Sequence, residues 1–137
     1  MVVITGGMEW NLDLHEPIGR VEMYNNGGSI QRLPDLLTAR AEHACGHYFN
    51  SNNTVVRIQQ LNGKQNRYLY CKVFLVTGGE EELGGGYLDS TELLTEGASH
   101  WVEAGALPSA RSRMAAVSFL DKIILTGTAV FLHSIAP

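Results

Sequence analysis

Three residues of this 137-residue chain, His43, Cys45 and His47, alternate along one short segment, and Cys71 is the second of two cysteines. Residues two apart on a strand share a face, so the three side chains would line up as imidazole and thiolate ligands do around zinc, with Cys71 able to join them. Glu80, Glu81 and Glu82 could supply paired carboxylates for acid-base work, but three adjacent acids after an apolar run read as a solvated loop. Gly84-Gly85-Gly86 follows an apolar segment as a dinucleotide loop does, yet the G-x-G-x-x-G order and a following helix are absent. It reads as a flexible loop. Gly63-Lys64 lacks the upstream glycine of a phosphate loop, no G-x-S-x-G occurs, and Ser99 in GASHW sits beside a core tryptophan, so acyl transfer is unsupported. His15, His100 and His133 lie in unrelated contexts. No catalytic residue, cofactor or metal is expected from these patterns.

The elements that must position such residues belong to one domain's worth of chain. With 45% hydrophobic and 18% charged residues, the composition excludes a disordered segment or a long coiled coil and requires a packed core. The net charge of −4 and the ten scattered Lys and Arg residues leave no basic footprint for nucleic acid. No run approaches the ~20 apolar residues that cross a bilayer, and MVVITGG lacks the basic start and apolar length of a secretory signal. A soluble chain, with the cytoplasm favoured, is expected. Two cysteines are too few for a disulfide framework and read as free thiols. The sequon Asn52-Asn53-Thr54 reads as a chance occurrence. Fifteen glycines exceed the usual ~7% and suggest many tight turns.

Those glycines punctuate a repeat. Val2-Val3-Ile4-Thr5-Gly6-Gly7 matches Leu75-Val76-Thr77-Gly78-Gly79, and Ile123-Ile124-Leu125-Thr126-Gly127-Thr128 is a degraded third copy. Glu22, Leu33-Pro34 and Arg40 correspond to Glu92, Leu107-Pro108 and Arg111, each 70 to 74 residues later. An apolar run ending in paired glycine is a buried strand followed by a turn that needs positive φ or close backbone approach. Residues 20–25 and 90–95 then read as strands whose hairpin partners are 29–33 and 100–104, joined through Asn/Gly-bearing turns. Leu-Pro ends the pairing, since proline cannot donate to a ladder. Residues 41–49 and 114–120 read as further strands, giving four per unit. Within them His43 aligns with Met114 and Cys45 with Ala116, which makes those positions ordinary core positions rather than metal ligands.

Taken together, these residues resemble kelch repeats, the four-stranded blades of a β-propeller. Gly6-Gly7 and Gly78-Gly79 match the family's paired glycines, Tyr24 its tyrosine in the first unit, Trp101 its tryptophan in the second, and Arg40 and Arg111 the arginine that opens the innermost strand. The sequence departs from the pattern where Ile30 replaces the first tryptophan, Leu94 the second tyrosine and Thr128 the third paired glycine. Gly78 to Gly127 spans 49 residues, near the kelch period of about 50, whereas Gly6 to Gly78 spans 72. The excess, 54–71, reads as an inserted hairpin or as a gene-model artefact such as retained intron sequence. The organisation expected is a first unit over 1–49, an insertion over 50–71, a second unit and the start of a third over 72–128, and an atypical tail over 129–137.

The resemblance implies an all-β fold, a partial kelch-type propeller with about two four-stranded antiparallel blades plus part of a third. Three strands of one blade, four of the next and two of the last would be present. Closure takes roughly four to eight blades, so either longer sequence or other chains would supply the rest, and the open sheet edges would be sticky. Arg40 and Arg111 would hydrogen-bond between neighbouring blades, and Trp101, Tyr24 and Phe49 would pack there. The function implied is protein interaction through the loops of one face, as a substrate adaptor or scaffold rather than an enzyme. The candidate binding residues are Glu9, Trp10, Asp13, His15 and Glu16 from the first loop and Glu80, Glu81, Glu82 and Tyr87 from the second, an acidic rim with an aromatic anchor that suits a basic protein segment. The alternatives are a piece of a kelch-containing oxidase or sugar-modifying enzyme, or a non-functional fragment.

Overall fold

A computed structural model of the chain describes residues 2–11, 14–49, 72–82, 85–119 and 122–127. They form thirteen strands and, among the described residues, no helix: β1 (Val2–Thr5), β2 (Met8–Asn11), β3 (Leu14–Pro17), β4 (Val21–Tyr24), β5 (Ile30–Leu33), β6 (Ala44–Phe49), β7 (Lys72–Thr77), β8 (Glu80–Glu82), β9 (Gly85–Tyr87), β10 (Ser90–Thr95), β11 (Val102–Ala106), β12 (Met114–Phe119) and β13 (Lys122–Gly127). The expected insertion over 54–71 with Cys71, the tail over 129–137, Asp13 and Gly84 lie outside the described residues.

The apolar runs become the strands that order three antiparallel sheets, β1-β4-β5, then β6-β7-β10-β11, then β12-β13. Flanked on both sides, β7 buries Val73, Phe74, Val76 and Thr77, whereas β13, paired among the described residues on one side only, alternates exposed and half-buried residues from Lys122 to Thr126. Between the first two sheets lies the core, Val21, Leu36, Phe74, Val76, Leu94 and Trp101, with Val3 and Leu33 packed against it.

Paired glycines serve the connectors. A Cβ on Gly6 (φ 56°) would stand 2.5 Å from the Arg40 carbonyl oxygen, and one on Gly78 (φ 62°) 2.6 Å from that of Arg111, distances that no L side chain tolerates in a left-handed conformation. The same backbone bonds recur in both units. Gly7 N–H donates to Arg40 O and Gly79 N–H to Arg111 O, both at 2.9 Å; Leu36 N–H donates to Gly19 O and Leu107 N–H to Asp89 O, both at 2.8 Å.

Two features differ from the sequence expectation. Residues 8–19 and 80–88, expected as loops, carry the two-stranded ribbons β2-β3 and β8-β9, because Ile18 N–H bonds Gly7 O and Leu88 N–H bonds Gly79 O and so close the base of each excursion. Glu80, expected in a solvated acidic loop, is 4% exposed. Its backbone exchanges hydrogen bonds with Ala41 at 2.9 and 3.0 Å, and its carboxylate accepts from Ser112 Oγ at 2.8 Å.

Candidate functional site

The two ribbons lie next to one another, β3 beside β8. In the first, Glu9 pairs directly with Glu16 and Trp10 with His15; in the second, Glu80 pairs with Tyr87 and Glu82 with Gly85. Glu9, Glu16, Glu81 and Glu82 are exposed, while His15 and Tyr87 are half-buried. Of the nine binding residues expected from sequence, Glu80 is thus turned inward, while Asp13 and the side chain of Trp10 lie outside what the structure describes. Like charges directly opposite on a ribbon destabilise it, so the Glu9–Glu16 pair holds negative potential at a local cost in stability.

Beside this rim the connector between the second and third sheets touches the one between the first and second. Arg113 Nε donates to Glu42 Oε2 at 2.8 Å, and Arg113 N–H to Glu42 O at 2.8 Å. The two residues occupy equivalent places 71 apart, and both have positive φ, 51° and 54°. The Arg113 guanidinium holds the Glu42 carboxyl below the usual carboxylate range. Neither residue was singled out from the sequence.

Behind the rim, Arg40 is a structural anchor. Its guanidinium reaches the four-stranded sheet, donating to Gly78 O at 2.9 Å, Ser90 O at 3.1 Å, Ser90 Oγ at 3.0 Å and Glu92 Oε1 at 2.5 Å. Glu92 in turn accepts from Leu37 N–H at 2.7 Å and Thr38 N–H at 3.0 Å. Both side chains are buried. The pair therefore locks the connector from β5 onto β10 with every charge hydrogen-bonded, the condition under which a buried ion pair is tolerated. Arg111 adopts the same local form, Nε to Ser109 O at 3.3 Å as Arg40 Nε to Thr38 O at 3.4 Å, but its terminal nitrogen bonds its own loop at Ser109 Oγ, 2.7 Å. Trp101, 1% exposed, donates from Nε1 to Pro34 O at 2.8 Å. Tyr24 instead caps Glu22 Oε2 at 3.3 Å.

The His43, Cys45 and His47 series divides. His43, half-buried before β6, shares a 2.8 Å hydrogen bond between Nε2 and Thr5 Oγ1, and its buried Nδ1 has no hydrogen-bond partner among the described residues. Burial, reinforced by the charge of Arg40, lowers its pKa from the ordinary 6.5 to about 4. Cys45, expected at a core position, is exposed, and so is His47. They line a cleft of about 290 Å³ with Val3 and Thr5 of β1 and with Lys72, Phe74 and Val76 of β7. The reason is topological. Among the described residues β1 has no strand on its other edge, so no described strand of the first sheet covers this face of β6. Among the described residues no group of three or more His, Cys, Asp or Glu is placed to hold a metal ion, and no helix is long and apolar enough to cross a membrane. Comparison with protein-family models returns no matching family, and comparison with curated proteins returns no match.

Proposed function

We propose that the chain is a kelch-type segment of a β-propeller, each ordered sheet a blade or part of one, and that it works as a protein-interaction module rather than an enzyme. Support for the blade reading comes from the strand order β6-β7-β10-β11, the hydrogen bonds that recur between units, and the Arg40 and Trp101 links between consecutive sheets. The rim made by β2-β3 and β8-β9 binds a basic segment of a protein partner, with Tyr87 beside the carboxylates. A single observation carries this: Glu9 and Glu16 oppose each other on an exposed ribbon, and a lysine or arginine placed between them turns a repulsion into two ion pairs.

Fluorescence anisotropy with labelled Lys/Arg-rich peptides tests the reading. Glu9→Lys/Glu16→Lys and Glu81→Lys/Glu82→Lys should each weaken binding by about tenfold, and binding should weaken as salt rises. Unchanged affinity in both double variants, or equal binding of an acidic control peptide, removes the proposal.

A further inference from the structure

The cleft beside Cys45 and His47 runs along residues of β1 where, among the described residues, no further strand pairs, and the chain itself carries a strand that fits there. In the second sheet, β6 pairs with β7 as Ala44↔Thr77, Cys45↔Val76 and Gly46↔Leu75; in the third, β12 pairs with β13 as Ala115↔Thr126, Ala116↔Leu125 and Val117↔Ile124. The registers are equivalent. β1, with its run Val2-Val3-Ile4-Thr5 before Gly6, is the counterpart of both β7 and β13, yet among the described residues no strand pairs with its edge on this side. An open edge is a template for a further strand.

Side-chain placement agrees. A Cβ on Gly46 would lie 3.2 Å from Ile123 Cδ1, so this position of the inner strand faces the following sheet, while Ser118 Oγ donates to His47 O across to the preceding one. Val117 is the counterpart of Gly46 and is 57% exposed. Phe74, the counterpart of Ile123, lines the cleft. Seated along β1, Val117 would therefore oppose Val3 and fall against Phe74, covering Cys45 and His47. Charge agrees as well. Arg40 precedes β6 and pairs with Glu92 on β10. Arg111 precedes β12 and, among the described residues, its side chain bonds only Ser109, and Glu22 on β4, held by Tyr24, stands where Glu92 does.

We propose that two copies of this chain associate by strand exchange: β12 of one copy leaves β13 and pairs with β1 of the other, with Arg111 clamping Glu22. Because β1 and β13 are near-equivalent strands, the hydrogen bonds lost at β13 are regained at β1, and the association gains burial of Val117 and one clamped ion pair. This is a heterologous contact, closed reciprocally in a dimer or repeated around a ring. It is independent of the acidic rim.

The full chain, followed by sedimentation velocity over a wide concentration range, should assemble beyond monomer. Val117→Asp, a change at an exposed site in the single copy, should return it to monomer. Arg111→Glu and Glu22→Arg should each weaken assembly by about thirtyfold or more, and mixing the two variants should restore it by re-forming the pair with its charges exchanged. Under mild oxidation, Val117→Cys in a Cys71→Ser background should cross-link to Cys45 of the second copy, since within one copy the two side chains face opposite sheets. A chain that stays monomeric throughout, or an assembly indifferent to Val117→Asp and to the charge exchange, overturns the proposal.

Discussion

The first two ordered sheets carry corresponding residues in different surroundings. Glu92, Trp101 and Val76 of the second are almost fully buried, whereas their counterparts in the first, Glu22, Ile30 and Ile4, are half-buried, 60% and 51% exposed. The difference is not in the strands, whose antiparallel registers run in step, Ile4↔Glu22 against Val76↔Glu92. It lies in the neighbour. The second sheet receives Arg40 and Pro34 from the connector that precedes it, and among the described residues the first receives nothing comparable. Burial here is a property of the interface between consecutive sheets, and one unit alone is half of that interface.

The sharpest way to break this comparison is to remove the arginine from each connector. Arg40→Ala strands Glu92 without its cation in a buried site, and uncompensated buried charge costs about 4 kcal/mol. Arg111→Ala removes bonds within an accessible loop and should stay within about 0.5 kcal/mol. Urea unfolding of both variants, at dilution low enough to exclude association, gives the two numbers. Equal losses would mean that Arg40 is no more of an anchor than its counterpart.

A second pair tests packing rather than charge. Trp101→Ala empties the centre of the core and leaves Pro34 O without its donor, for a loss of about 3 kcal/mol; Ile30→Ala should cost no more than about 0.5 kcal/mol. Thermal melts that lowered both variants alike would place the core elsewhere than between these sheets.

Much of this arrangement was legible in the chain and some was not, for reasons that can be located. The apolar runs with terminal glycine became β1, β7 and β13, and the Glu/Arg landmarks became a clamp, because each signal is local and appears twice. The ribbons β2-β3 and β8-β9 were missed, since Glu80-Glu81-Glu82 and Gly85-Gly86 are residue types depleted from strands and the base of each ribbon is pinned by a single non-local bond, to the Gly7 and Gly79 carbonyls. The burial of Glu80 had one usable signal. Its counterpart in the first unit, one residue after the paired glycines, is Met8, an apolar residue that marks an inward position. The exposure of Cys45 and His47 had none, because it depends on β1 having, among the described residues, no strand on its other edge rather than on any residue near them.

His43 offers the subtlest test, because its counterpart Met114 fills the equivalent place beside the glycine turn with a group that cannot titrate. The imidazole stays neutral in the fold down to a pKa of about 4, against 6.5 in the open chain. Its contribution is thus fully present above pH 6.5 and is lost as pH falls toward 4, since the unfolded chain then takes up a proton that the folded chain refuses. Between pH 7 and pH 5 the wild type should lose about 2 kcal/mol by this route. The Glu42 carboxyl, held below its ordinary 4.5 by Arg113, titrates beneath that window and does not confuse it. His43→Met, which installs the residue used by the second unit, should flatten the stability profile between these two pH values in urea titrations. A slope equal to the wild type's would assign the acid sensitivity to another group and leave His43 as no more than a filler of the space beside Thr5 and Gly6.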